Sequence, residues 1–350
     1  AIGLFIFIES KVKHPLLELD LFREKTLTAS SLVYFLTGFA LVSPTLILNY
    51  FLQDVLNDTA LHAALIIVPV SLTIMVAMPL GTKLFDQVGA VPVTLIGLLV
   101  MAASLLLLSF ITTTTPKAVI ITFLVIHGVG FGFSSVSLVA SVKHLPKNKS
   151  GIGSGIVNAA RQIGTCLGIA ILVTVLDNNV NTAKQHIHQD AIQIVDRQQL
   201  SPKVNKVAHQ QLNSLFSTTG SAKLITKNKQ TNLRRALKQA AKSQVDLPQP
   251  QKGTDLYQVY QVQKELVIAT DNLKAGNQQL QKISQGQKKL LVGLKQLAQK
   301  EALTIALRKI KHTKNQQISQ AFSHTYLVGA AIVLILSPIA LLIDRKSLKS

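Results

Sequence analysis

The sequence predicts an all-α membrane protein of six spans, five of them close together and the sixth far downstream. Three observations carry that prediction. Six segments are long and apolar enough to cover a hydrocarbon core of about 30 Å, which takes about 20 residues at 1.5 Å rise each. Two of these, residues 91–111 and 325–343, contain no charge. The hydrophilic character is concentrated in one insertion. Residues 178–323 hold 23 of the 36 lysines and arginines but only 7 of the 16 acidic residues, so 16 of the 20 surplus positive charges lie there.

In chain order, residues 1–26 open on AIGLFIFI and run into Glu9, Lys11 and Lys13. That stretch is too short to span. It is expected to be the end of a preceding transmembrane helix followed by a cytoplasmic linker, and the chain the C-terminal part of a longer protein. Five spans follow within 27–177, at 27–52, 60–81, 90–111, 117–142 and 152–177. The insertion occupies 178–323, and 324–350 supplies the last span (324–344) and a short tail. Alternate short connections carry Lys11, Lys13, Arg23 and Lys25, then Lys83, then Lys143, Lys147 and Lys149, then Arg345, Lys346 and Lys349. The opposite short connections carry Lys117 as their only basic residue. The positive-inside rule puts the first set in the cytoplasm and the insertion outside, because long loops cross largely regardless of charge.

The spans differ in kind. Those at 90–111 and 324–344 are nearly featureless, which suits a position in lipid. The other four carry polar groups, which is expensive in a bilayer unless the groups face a cavity or each other. Tyr34, Thr37 and Asn49 on the first, His127 on the fourth, and Asn158, Arg161, Gln162 and Thr165 on the fifth are the candidate cavity and substrate residues. The last four fall at i, i+3, i+4 and i+7, on one helical face. Arg161 either faces an aqueous cavity or snorkels to the interface. Gly151 and Gly155, with Gly164 and Gly168, form small-residue ridges of the kind that let membrane helices approach closely.

The insertion is rich in Gln, Lys, Asn and Ala. Its strongest turn signal is DLPQPQKG at 246–253. Leu266, Leu273, Leu280 and Leu294 recur at multiples of seven, and Ile283, Leu290 and Leu297 fill the companion positions. This pattern predicts a coiled-coil seam inside an extracytoplasmic helical hairpin, interrupted at Gln287. Disorder in part of the first arm is the competing reading.

Composition also excludes. Cys166 is the only cysteine and lies in a span, so there is no intrachain disulfide and no zinc spacing. The basic pI belongs to one loop, without an aromatic-rich basic patch or a nucleic-acid motif. No catalytic or metal-ligating constellation is present, and no cofactor is implied.

After the second span the sequence reads Gly81-Thr-Lys-Leu-Phe-Asp86-Gln-Val-Gly89. Glycines at both ends permit a tight turn, and Asp86 is placed to cap the next helix. In this position the stretch resembles the signature gating loop of the major facilitator superfamily, with Gln87 where that loop usually has Arg. His14-Pro15-Leu16-Leu17, Tyr50-Phe51-Leu52-Gln53, Pro69 and Pro79, and the run from Gly153 through Asn158, Arg161, Gln162 and Gly164 to Gly168 agree in order. Together they resemble the C-terminal half of a fourteen-span drug:proton antiporter of the EmrB/QacA type. The resemblance covers about 1–177 and 324–350 and leaves 178–323 unmatched.

It implies half of a major-facilitator fold (six transmembrane helices) and efflux of small amphipathic or cationic compounds in exchange for protons. It also implies a multi-pass location in a bacterial plasma membrane. No span has a central carboxylate, so the proton-coupling residue is expected elsewhere in the protein. The alternative is a membrane-anchored surface protein whose cationic stalk binds anionic wall polymers or lipid head groups.

Overall fold

The structure, a computed structural model, describes residues 24–143, 145, 149–198, 200–216, 248–272 and 278–343. The readings placed on Ala1 to Arg23, on Lys147, on Leu273 and on the tail after Ile343 lie outside the described residues. All regular structure among the described residues is helical. The chain divides into two compact units, one made of Ala1–Val180 with Ile318–Ser350 and the other of Asn181–Gln317.

The first unit contains α1 (Lys25–Tyr50), which continues into a π-helical stretch Phe51–Val55, then α2 (Ala60–Val88) and α3 (Ala90–Ser109). Next come α4 (Lys117–Ser134) and α5 (Val136–Lys143). The helices α6 (Ser150–Asp196) and α9 (Gln278–Leu336) give residues to both units, and a 3-10 turn Ser337–Leu342 follows α9. Six helical stretches are long and apolar enough to cross a membrane.

The fourth span is broken at Ser135, between α4 and α5. The hydroxyls of Ser134, Ser135 and Ser137 each donate to the carbonyl three residues back, at 3.0, 2.7 and 2.9 Å. Such side chains compete with the helical backbone and bend or interrupt it.

Lipid tails are as apolar as leucine, so helices in a bilayer associate through close packing and hydrogen bonds. Glycine sets that packing here. A Cβ on Gly97 would fall on the Ser134 amide and 2.8 Å from the Gly130 carbonyl, and one on Gly130 would lie 2.6 Å from the Met101 amide. On the other side of α4, Gly128 faces Thr73 and Val70 of α2 at 2.9 Å, and Gly132 faces Ala77 at 2.5 Å. Alternate glycines of one helix thus admit two neighbours at backbone distance.

This corrects the expectation that span 90–111 faces lipid because it is plain. Val93, Thr94, Leu98, Met101, Ala102, Ser104 and Leu105 of α3 are fully buried, whereas the more polar α2 exposes Leu61, Leu72, Met75 and Val76 by 60% or more. Hydropathy reports what a helix is made of, but Gly97 and Gly130 decide which helix can be enclosed.

The connection after α2 also differs from the expected loop. The helix runs through Asp86 to Val88, and Gly89 alone, at φ +90°, separates it from α3. Asp86 is exposed within the last turn of α2 and does not cap α3, whose N-cap is Gly89. One residue suffices because glycine adopts positive φ without a Cβ clash. Gly81 is buried inside α2 against Phe133 and Val136 of the fourth span.

The second unit has its own apolar cluster. Ala191 and Val195 of α6, Val204, Ala208 and Leu212 of α7 (Pro202–Phe216), and Leu303 of α9 form it. The α7 amino end is capped by Ser201, whose own amide donates to Gln299 Oε1 at 2.9 Å.

The helix α8 (Asp255–Asn272) meets α9 through polar contacts. The Thr270 hydroxyl donates to Gln287 Oε1 at 2.7 Å, the Ser284 hydroxyl donates to Asp271 at 2.7 Å, and Lys288 pairs with Asp271 at 2.8 Å. The companion column of the expected coiled-coil seam does not form an apolar packing face. Ile283, Leu290 and Leu297 are 52%, 60% and 52% exposed. Gln287, the polar interruption in the stripe, is the stripe position that meets α8, while the companion positions 283, 290 and 297 turn outward.

Candidate transport site

The chemistry-bearing residues of the first unit converge where α6 crosses α1. A Cβ on Gly164 would land on the Phe35 carbonyl, and one on Gly168 on the Ser43 hydroxyl and 2.9 Å from the Phe39 carbonyl. Across the same crossing, a Cβ on Gly38 would collide with the Arg161 carbonyl. Backbone meets backbone along two turns of each helix. The contact continues at one end into an apolar cluster of Leu27, Tyr34, Ile156 and Val157.

That crossing fixes Arg161. Its guanidinium carbon lies 5.8 Å from the centroid of the Tyr34 ring, a cation–π distance. One turn along, the Thr165 hydroxyl donates to the Gly38 carbonyl at 3.3 Å. Tyr34 is buried, and Thr37 is fully buried with its hydroxyl bonded to the Tyr34 carbonyl at 2.7 Å. Among the described residues no carboxylate pairs with Arg161. A permanent charge with an aromatic partner and no carboxylate beside it among the described residues leaves a positive potential at this crossing.

The remaining expected site residues are distributed differently. Gln162 is exposed on the edge of α6 away from α1, and Asn158 donates to its own helix at Ser154 O, 3.0 Å. The four-residue polar face of α6 is thus split: Arg161 and Thr165 border α1, and Gln162 borders open space. Asn49 lies near the far end of α1 and accepts from Gln53 at 2.6 Å. His127 lies in α4 with no exposure, its Nδ1 2.6 Å from the Ser104 hydroxyl, so it does not line an accessible cavity. Gly164 and Gly168 sit at the close crossing, whereas a Cβ at Gly151 or Gly155 would meet nothing within 4 Å. The packing expected of those two is not made among the described residues.

Gly38 and Ser104 are the residues that sequence reading passed over. Gly38 is a lone glycine without a small neighbour four residues away, so no ridge pattern marks it. Ser104 sits in an apolar run and gains meaning only from His127 opposite. Among the described residues no group of three or more His, Cys, Asp or Glu side chains is placed to hold a metal.

Closely packed, glycine-rich helices, six of them long and apolar enough to span, with an arginine at one crossing, are the features of a polytopic membrane protein. The family model of the Major Facilitator Superfamily matches residues 7–169, a little under half of the chain. The multidrug transporter protein MdtP of Bacillus subtilis is 28% identical over 174 residues, covering 49% of this chain and 32% of MdtP. The tetracycline resistance determinant of Streptomyces rimosus is 30% identical over 181 residues, covering 50% of this chain and 52% of that protein. The lincomycin resistance protein LmrB of Listeria monocytogenes is 26% identical over 204 residues, covering 57% of this chain and 42% of LmrB. The chain therefore spans a third to a half of the length of these curated relatives. These relatives are transporters and resistance proteins, not enzymes, and they are bacterial; the chain is a multi-pass protein of a bacterial cell membrane.

Proposed function

We propose that the protein containing this chain exports small amphipathic compounds, cations among them, by exchange with protons. The observation that carries this reading is the α1–α6 crossing. An arginine within a span is retained at a cost of several kcal/mol unless it is solvated or paired, and here it lies against Tyr34 at a crossing whose close spacing only glycines permit. The naming of the relatives for multidrug, tetracycline and lincomycin resistance supports a drug-like substrate class. Proton exchange rests on the resemblance to drug:proton antiporters.

The test is dye efflux from a drug-sensitive bacterial host producing the whole reading frame that contains these residues. Efflux that stops when a protonophore collapses the proton gradient is the expected result. Efflux that persists without the gradient overturns the coupling, and no efflux of any cationic or neutral amphipathic dye overturns the substrate class.

A further inference from the structure

The second and fourth spans run side by side in the same direction, and their contacts follow one another down both. A Cβ on Gly128 would meet Val70 and Thr73, one on Gly132 would meet Ala77 and Met78, and one on Gly81 would meet Phe133 and Val136. Each span has a weak point, and these contacts put the two at one level. In α2 it is Pro79, between Met78 and Gly81; proline has no amide hydrogen, so the Met75 carbonyl lacks its helical donor there. In the fourth span it is Ser135, where the Leu138 amide bonds the Ser135 carbonyl at 3.0 Å, three residues back instead of four. Helices bend at proline and at serine, and a tightened turn inside a helix often marks a hinge. Pro69, the other proline of α2, has no such counterpart, because the fourth span is regular helix beside it. With glycines bringing the backbones this close, bends at different heights would drive one helix into the other. Bends at one height let both turn together.

On either side of that level the two helices are tied. Beyond Pro79, the Lys143 ammonium at the end of α5 lies 4.8 Å from the centroid of the buried Phe85 ring. Lys143 is seven residues past Val136, about 10 Å along the helix, so α5 is held to α2 at two separated points. Before Pro79, Lys117 in the first turn of α4 pairs with Asp58, just ahead of α2, at 2.6 Å, and Gly128 supplies the second point. Each lysine contact is weak by itself. Each also lies far from the joint, where it has the longest lever against separation of the helices. The Lys143 side reaches the α1–α6 crossing as well, since Leu138 of α5 packs on the cluster of Leu27, Tyr34, Ile156 and Val157.

We infer that Pro79 and Ser135 form one hinge shared by two helices. About it, residues 80–88 of α2 turn together with α5, as one body, against residues 60–78 of α2 and α4. The turn moves Leu138 against Tyr34, the ring beside Arg161, and so changes the setting of the charge at the crossing. That last step rests on the crossing being the transport site; the hinge itself does not.

The test is electron–electron double resonance between nitroxide pairs in lipid nanodiscs. It uses the whole reading frame that contains these residues, with its native cysteines, Cys166 among them, replaced. Leu61→Cys with Val119→Cys labels two exposed positions on the same side of the hinge, whereas Lys83→Cys with Val119→Cys spans it. The spanning pair should give a distance distribution several ångströms broader, and Pro79→Ala should narrow it to the width of the first pair. Ser135→Ala combined with Ser137→Ala should narrow it too, because either repair stiffens the shared joint. A spanning pair as narrow as the other before any repair overturns the hinge, and narrowing by only one of the two repairs overturns the sharing. Should the Pro79→Ala protein not accumulate, the serine repair decides alone: Lys83 is on α2, so an unchanged width after a change in the fourth span overturns the proposal. No transport is read, so the outcome is independent of the substrate class and of proton exchange.

Discussion

The two units of this chain solve the same problem, holding helices together, with different residues. In the membrane unit the decisive contacts are glycine to backbone: Gly97 with Gly130, Gly132 with Ala77, Gly164 with Phe35. In the unit of residues 181–317 they are aliphatic side chains in a shared cluster, Val195, Val204, Leu212 and Leu303, supplemented by amide, hydroxyl and carboxylate contacts at Gln287, Ser284 and Asp271. The difference is the one expected if the unit of residues 181–317 lies in water and the other in lipid. In water, burial of apolar surface contributes about 25 cal/mol per Å², so leucines and valines drive assembly. In lipid that gain vanishes, and closeness of approach takes its place. Glycines 286 and 293 show the converse: in the second unit a Cβ on either would meet nothing within 4 Å.

The comparison can be broken most directly by asking which unit is in water and on which side. In a Cys166→Ala background, a cysteine at Lys282 should react fully with a membrane-impermeant maleimide in intact cells, and one at Lys83 should not react. The reverse pattern would invert the orientation drawn from the charged loops.

Substitutions sharpen it next. Gly164→Leu forces a side chain onto the Phe35 carbonyl, which no rotamer relieves. The cost should reach or exceed the upper end of overpacking penalties, about 3 kcal/mol, seen as a chain that does not accumulate in the membrane. Leu303→Ala in the second unit removes a buried leucine from the cluster and should cost about 2–5 kcal/mol. That loss would be read as a lower denaturant concentration for protease cleavage within residues 181–317, with the membrane unit intact. Gly155→Leu should be the mildest, with accumulation near that of the unaltered chain, since open space surrounds that position. A Gly155→Leu chain that fails like Gly164→Leu would show that the glycines of α6 act through something other than the α1 contact.

Much of the fold was legible in the sequence because spanning a bilayer imposes a length and a composition that survive any detail of packing. The six spans and the polar insertion follow from that alone. Helix ends were less legible. Gly81 and Asp86 read as loop residues, yet α2 extends past both, because nothing in the sequence says that Gly89 alone can make the turn.

The site was legible in part. The spacing of Asn158, Arg161, Gln162 and Thr165 gave one face of α6, but not that α1 would cover only the half bearing Arg161 and Thr165. That division depends on Gly38, Gly164 and Gly168 meeting backbone on the opposite helix, a pairing between distant segments. His127 read as a cavity residue because a polar group in a span suggests solvent. Its partner in the buried interior is Ser104, which has no significance until the two helices are placed together.

Arg161 is where the account is most exposed. Drug resistance and dye efflux should be measured for Arg161→Ala and Arg161→Lys in the whole reading frame, with membrane content quantified alongside. The Ala variant is expected to insert and accumulate normally but to lose efflux. The Lys variant should recover it only partly, because lysine keeps the charge and loses the planar guanidinium that lies against Tyr34. Full efflux by the Ala variant at normal membrane content would contradict the assignment of this crossing as the transport site.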